Sequence, residues 1–181
     1  MEGCGVLSGL SHMAQRFTQL IQLHEDSIVR TWAEAIYAEP RTRVASMLSY
    51  EQLVDHLPDL IAELSKILDQ AADDREIEES AKHLRAHPQV RFQQGVLIDE
   101  VARELTIFRE VFNEFLWKET VGAGESGLQE LRSALKRSDY LIDELIVRSV
   151  VIYAACMRPA VETRSSSWPP PRRRPRDPPG E

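Results

Sequence analysis

The chain has 181 residues, 43% of them hydrophobic and 28% charged, with a formal net charge of −7. That length accommodates one domain plus a tail, and it buries enough apolar surface to hold a core without a metal or disulfide staple. The acidic balance disfavours nucleic acid and anionic lipid as partners of the folded part, and Cys4 and Cys156, far apart and without a neighbour at CxxC spacing, form no disulfide framework.

In chain order, the apolar stretch from Gly3 to Leu10 is too short and too glycine-rich for a signal or an anchor. A first helical segment is expected from about Ser11 to Ala38, with the stripe Met13, Phe17, Leu20, Ile21, Ile28, Trp32 and Ile36 ending at Pro40. A second opens on the capping box Ser49-Tyr50-Glu51-Gln52 and carries Leu53, Leu57, Leu60, Ile61, Leu64, Ile67 and Leu68 on one side. Pro58 lies within it, either as a kink or as the first residue of a helix that restarts there.

A third segment runs from near Asp74 through Ile77, Ala81 and Leu84 until Pro88 stops it. The fourth, from about Gln89 to Glu119, is apolar on a wide arc that includes Val96, Leu97, Val101, Leu105, Phe108, Phe112, Phe115 and Leu116. Such an arc predicts a central helix touched by several neighbours. Gly122, Gly124 and Gly127 break the chain, a second capping box at Ser126–Gln129 opens a fifth helix, and that helix continues to about Cys156. Its apolar end, Val150 to Met157, falls far short of the roughly 20 residues that span a bilayer. No segment shows the two-residue period of a strand.

From Pro159 the composition changes. Ser165-Ser166-Ser167-Trp168-Pro169-Pro170-Pro171 and the arginines that follow form neither helix nor core, so residues 158–181 are read as a disordered Pro/Arg-rich tail behind a helical domain at 1–157. The tail holds six arginines against three acids, a balance of +3 that leaves −10 on the body.

With the segments placed, the chain resembles the N-terminal domain of the RsbRD-type RsbT co-antagonists. The stretches that carry the resemblance are His24-Glu25-Asp26-Ser27-Ile28 with Trp32, then Leu48-Ser49-Tyr50-Glu51-Gln52-Leu53 running into Asp55-His56-Leu57-Pro58. His87 with Arg91 and Gly95 follow, and then Glu104-Leu105-Thr106-Ile107-Phe108-Arg109-Glu110. The resemblance implies an all-α, globin-like bundle of five to six helices around a central one, generally without haem. It also implies a signal-input and dimerisation unit placed ahead of a regulatory domain or a kinase. Here only the tail follows, so the expectation is an input module standing alone or a severed copy of a longer protein.

Reactive chemistry finds little purchase. Glu79, His83 and His87 at i, i+4 and i+8 would share a helix face and offer a zinc or iron set, against the plainer reading of a polar face with a capping histidine. A haem would take His56, His83 or His87, since His12 and His24 belong to the first segment. Arg91 and Arg109 lie on or beside an apolar helix and call for carboxylates, with Glu63, Glu100 or Asp55 available. Trp32, Trp117 and the phenylalanines at 108, 112 and 115 read as core, with an apolar ligand pocket or a dimer seam as the alternative. No nucleophile elbow, phosphate loop or nucleotide fingerprint is present.

The expectation is therefore a non-catalytic input domain of a bacterial stress-response or two-component pathway. It is expected to be cytoplasmic, homodimeric through the fourth or fifth helix, and partnered by a regulatory kinase or stressosome-type component. No nucleic acid, membrane, cofactor or metal is expected. Trp32, His56, His87, Arg91 and Arg109 are its candidate polar and packing positions, and no reactive cluster is expected within residues 96–116. The rivals are a globin-like haem or metal sensor and an apolar small-molecule sensor.

Overall fold

The computed structural model describes residues 5–69, 72–120 and 124–158, with side chains from Phe17 onward. Among these residues there are eight helices and no strand: α1 Gly5–Ala38, α2 Val44–Met47, α3 Tyr50–Val54, α4 Leu57–Asp69, α5 Asp74–His83, α6 Ala86–Gln93, α7 Ile98–Thr120 and α8 Gly124–Cys156. The all-α expectation holds. The expected tail lies outside the described residues apart from Arg158, and so does the side chain of Met13. No helix among the described residues is long and apolar enough to cross a membrane.

Local chemistry accounts for the boundaries. The box predicted at Ser49 forms: Ser49 Oγ accepts from the Gln52 N–H at 3.2 Å, and Gln52 Oε1 accepts from the Ser49 N–H at 3.0 Å. Asp73 and Glu76 make the same reciprocal pair at the start of α5, each bond 2.9 Å. Pro58 is the second residue of α4, where a missing N–H costs nothing, so the chain turns at Asp55–His56 and restarts rather than kinking. Pro88 likewise does not stop a helix. It sits in the first turn of α6, after a turn at Leu84–Arg85.

The fourth expected segment divides at Gly95. With φ at +77°, Gly95 takes the left-handed conformation that closes α6, its N–H donating to the Phe92 carbonyl at 3.1 Å while the Val96 N–H reaches the Arg91 carbonyl at 3.0 Å. The second predicted capping box is not the start of the last helix, because α8 already begins at Gly124, which takes a φ of +74°.

The core joins Ile21, Ile28, Trp32 and Ile36 of α1, Leu57, Leu60, Ile61, Leu64, Ile67 and Leu68 of α4, and Val101, Leu105, Phe108, Phe112 and Leu116 of α7 to Leu131, Leu141, Ile142, Leu145 and Tyr153 of α8. α7 packs on α1, α6 and α8, and α8 packs on α4, α5, α6 and α7, so the centre is shared between α7 and α8 rather than held by one helix. Among residues expected inside, Leu97 is exposed, and Trp117 keeps half its surface in solvent near the end of α7.

Candidate functional site

One carboxylate gathers the interior polar groups. Glu104 lies on the buried face of α7 with Val101, Leu105 and Phe108, and its side chain is almost fully enclosed. Arg91 of α6, with no surface exposed, meets it side-on: Nε lies 3.2 and 3.1 Å from the two carboxylate oxygens and Nη2 lies 2.6 Å from Oε1. The other guanidinium hydrogens are taken up as well. Nη1 donates to the Gln52 carbonyl at 2.8 Å and to Gln94 Oε1 at 2.9 Å, and Nη2 donates to the Leu53 carbonyl at 2.8 Å.

Those carbonyls belong to the last turn of α3, which has no intrahelical donors for them, so Arg91 also caps a helix C-terminus. A buried charge pair is tolerable only when its remaining donors are satisfied, and here they are. Burial would raise the Glu104 carboxyl, but the contacts from His87, His56 and Arg91 outweigh it and hold the group well below the usual carboxylate range.

Two histidines complete the cluster. His56, in the turn between α3 and α4, places Nε2 3.3 Å from Glu104 Oε1 and Nδ1 3.0 Å from Arg91 Nη2 and 3.3 Å from Asp55 Oδ1. Burial lowers its pKa well below the ordinary 6.5, with the neighbouring His87 and Arg91 adding to the effect and Glu104 opposing it, so the ring is neutral at pH 7. His87 of α6 is buried, its ring centroid 4.0 Å from that of His56. Its Nε2 lies 3.5 Å from Glu104 Oε1 but makes no hydrogen bond among the described residues. Trp32 of α1 closes the far side: its indole N–H donates to the Glu104 backbone carbonyl at 3.3 Å, and its ring meets His56 edge-on at 6.0 Å.

A cleft of about 190 Å³ lined by Asp55, His56, Asp59, His83, His87 and Arg91 opens beside the cluster. From the cluster a short hydrogen-bonded path reaches α8. The Arg91 carbonyl accepts from the Val96 N–H, and the Val96 carbonyl accepts from Tyr153 Oη at 2.9 Å. Burial raises the Tyr153 phenol to about 12.

Four of the five candidate residues, Trp32, His56, His87 and Arg91, thus converge on one point. Arg109 does not. It is a third exposed and pairs across to Asp143 of α8 at 2.9 Å. The partner of Arg91 is Glu104 and not Glu63, Glu100 or Asp55. Glu63 receives His83 at 3.2 Å, and Glu100 accepts the Arg43 N–H at 3.0 Å, capping α2 from a distance. The trio Glu79, His83 and His87 does not assemble, because Glu79 pairs with Lys82 and the turn at Leu84–Arg85 carries His87 onto another helix.

The interior of the 96–116 stretch, expected to hold no reactive cluster, contains Glu104 with two histidines against it. The sequence does carry a signal for this: a glutamate at a core register of an amphipathic helix requires a buried partner. His56, His87 and Glu104 together are the described residues that offer a metal ion a compact ligand set, their donor atoms lying within 4.8 Å of one another.

A family model described as the RsbT co-antagonist protein rsbRD N-terminal domain matches residues 26–168. No curated protein and no solved structure matches the chain.

Proposed function

The chain belongs to the family of RsbT co-antagonist rsbRD N-terminal domains, and from that premise we propose that it is a signal-input domain that works through protein contacts and not through catalysis. Residues 1–157 are the input body and 158–181 the tail. The setting is a cytoplasmic bacterial stress-response or two-component pathway, with a second copy of the chain and a stressosome-type component or regulatory kinase as partners.

The observation that carries this reading is the outer face of α8. Val147, Val150, Val151, Ala154 and Ala155 are exposed along its last three turns, with Met157 exposed just past its end, and Arg148 is the only charge between Val147 and Met157. An apolar strip on a long helix that the described residues leave uncovered is a contact surface. The same helix is tied to the interior by the Tyr153–Val96 bond, so a change in packing around Glu104 reaches it directly.

The test is a binding measurement with purified stressosome-type scaffold and regulatory kinase, using the full chain and the double substitution Val147→Glu/Val151→Glu. Wild type binds at least one of the two, and the variant, with unchanged circular dichroism and melting, binds at least tenfold more weakly. Binding to neither, or equal binding by the variant, overturns the proposal.

A further inference from the structure

We propose that His56, His87 and Glu104 form a mononuclear site for a borderline transition-metal dication of the zinc type, with its open position facing the cleft beside α6. The inference is independent of the partner-binding reading above.

The first argument is distance. Four-coordinate zinc with bonds of about 2.0–2.1 Å to nitrogen and oxygen sets neighbouring ligand atoms about 3.3–3.4 Å apart. Glu104 Oε1 lies 3.3 Å from His56 Nε2 and 3.5 Å from His87 Nε2, and the three donor atoms fall within 4.8 Å of one another. They come from a turn, α6 and α7, elements already fixed by packing.

The second argument is the unpartnered ring nitrogen. His87 is more than nine-tenths buried, and its Nε2, 3.5 Å from Glu104 Oε1, has no hydrogen-bond partner among the described residues. A buried nitrogen left without a partner costs free energy unless something binds it. A dication would.

The third argument is the proton inventory of His56. Arg91 Nη2 has two hydrogens and three acceptors within reach, and the Glu104 and Leu53 oxygens, at 2.6 and 2.8 Å, suffice for both. His56 Nδ1 is therefore the surplus acceptor. Without metal, Nε2 faces Glu104 Oε1 at 3.3 Å. With metal on Nε2, the ring proton moves to Nδ1 and donates to Asp55 Oδ1, 3.3 Å away. That is the carboxylate–histidine–metal arrangement that orients zinc ligands. No proton leaves the ring and no group is orphaned.

Arg91 opposes a cation, but its charge is cancelled by Glu104. Asp55 and Asp59 on the cleft wall then supply the two negative charges that offset the metal. Two imidazoles and one oxygen favour zinc, cobalt or nickel over the all-oxygen preferences of calcium and magnesium.

The experiment uses the untagged full chain, stripped with EDTA and titrated with Co(II). The expected result is a one-to-one visible absorption of four-coordinate cobalt without a thiolate charge-transfer band, displaced by zinc and untouched by calcium or magnesium. H87Q, which leaves the Arg91–Glu104 pair intact, weakens binding more than tenfold. D55N, at a half-exposed position where folding is not at stake, weakens it about tenfold. Should H87Q fail to fold, D55N decides. The absence of a four-coordinate spectrum, a thiolate band that disappears in C156S, or undiminished binding by D55N overturns the site.

Discussion

Replacing Arg91 by methionine keeps most of the side-chain length and removes every guanidinium hydrogen. Glu104 is then stranded as a buried carboxylate, and the Gln52 and Leu53 carbonyls at the end of α3 lose their donors. Breaking a buried pair from one side costs about 3–5 kcal/mol, and each carbonyl adds up to about 1 kcal/mol where water cannot reach it. A loss of about 4–5 kcal/mol is a large share of the roughly 5–15 kcal/mol that holds a domain of this size together.

With a urea m-value of about 2 kcal/mol/M, the unfolding midpoint falls by about 2 M. The second variant makes the argument refutable. R91M/E104L removes the stranded charge along with its partner and recovers about 2 kcal/mol, leaving the uncapped turn of α3 and the His56 and His87 nitrogens that faced Glu104 unsatisfied. Both are measured by urea unfolding followed by circular dichroism, with EDTA present throughout. If the double variant is no more stable than R91M alone, the charge on Glu104 is not what Arg91 compensates.

Three further outcomes follow from the same geometry. Gly95→Ala destabilises by about 1–2 kcal/mol in urea melts, because φ is +77° and a Cβ there meets nothing within 4 Å, so the cost is backbone strain and not a clash. Asp73→Ala removes the box that starts α5 and costs about 1 kcal/mol, read by the same melts. Tyr153 ionises only near pH 12 in the folded protein. Since its folded pKa lies above the free value of about 10, its stabilising effect is complete below pH 10 and is lost as pH rises toward 12. Subtracting a Y153F phenolate titration from that of the wild type isolates this group, and a difference band already full at pH 10 would contradict the buried bond to Val96.

The sequence made helices legible where apolar residues recur every three or four positions, as along α4 and α8, and where side chains declare a boundary, as at Ser49. It misled where one residue type has two meanings. Pro88 stops a helix in one context and begins one in another, and only the turn at Leu84–Arg85 decides between them. Gly95 carried the signal for a helix end, but the apolar arc on either side was continuous enough to hide it.

The residues of the site were legible through resemblance before their geometry was. Trp32, Gln52, Leu53, His56, His87, Arg91, Gly95 and Glu104 all fall in the stretches that resemble the family, and the fold brings most of them to one carboxylate. The pairing of Arg91 with Glu104 was not legible. Several acids were available in the sequence, and choosing among them requires knowing that α6 lies across α7 and the end of α3.

The proposed pairing of two copies, expected through the fourth or fifth segment, finds its exposed candidate surface in the apolar strip of α8. Light scattering on the full chain under reducing conditions, so that the exposed Cys156 cannot cross-link copies, tests it without any partner. The predicted result is a mass of twice 20.7 kDa for the wild type and a single-chain mass for the helical but charged-strip variant V147E/V151E. A wild type that stays at 20.7 kDa at concentrations well above micromolar would contradict it.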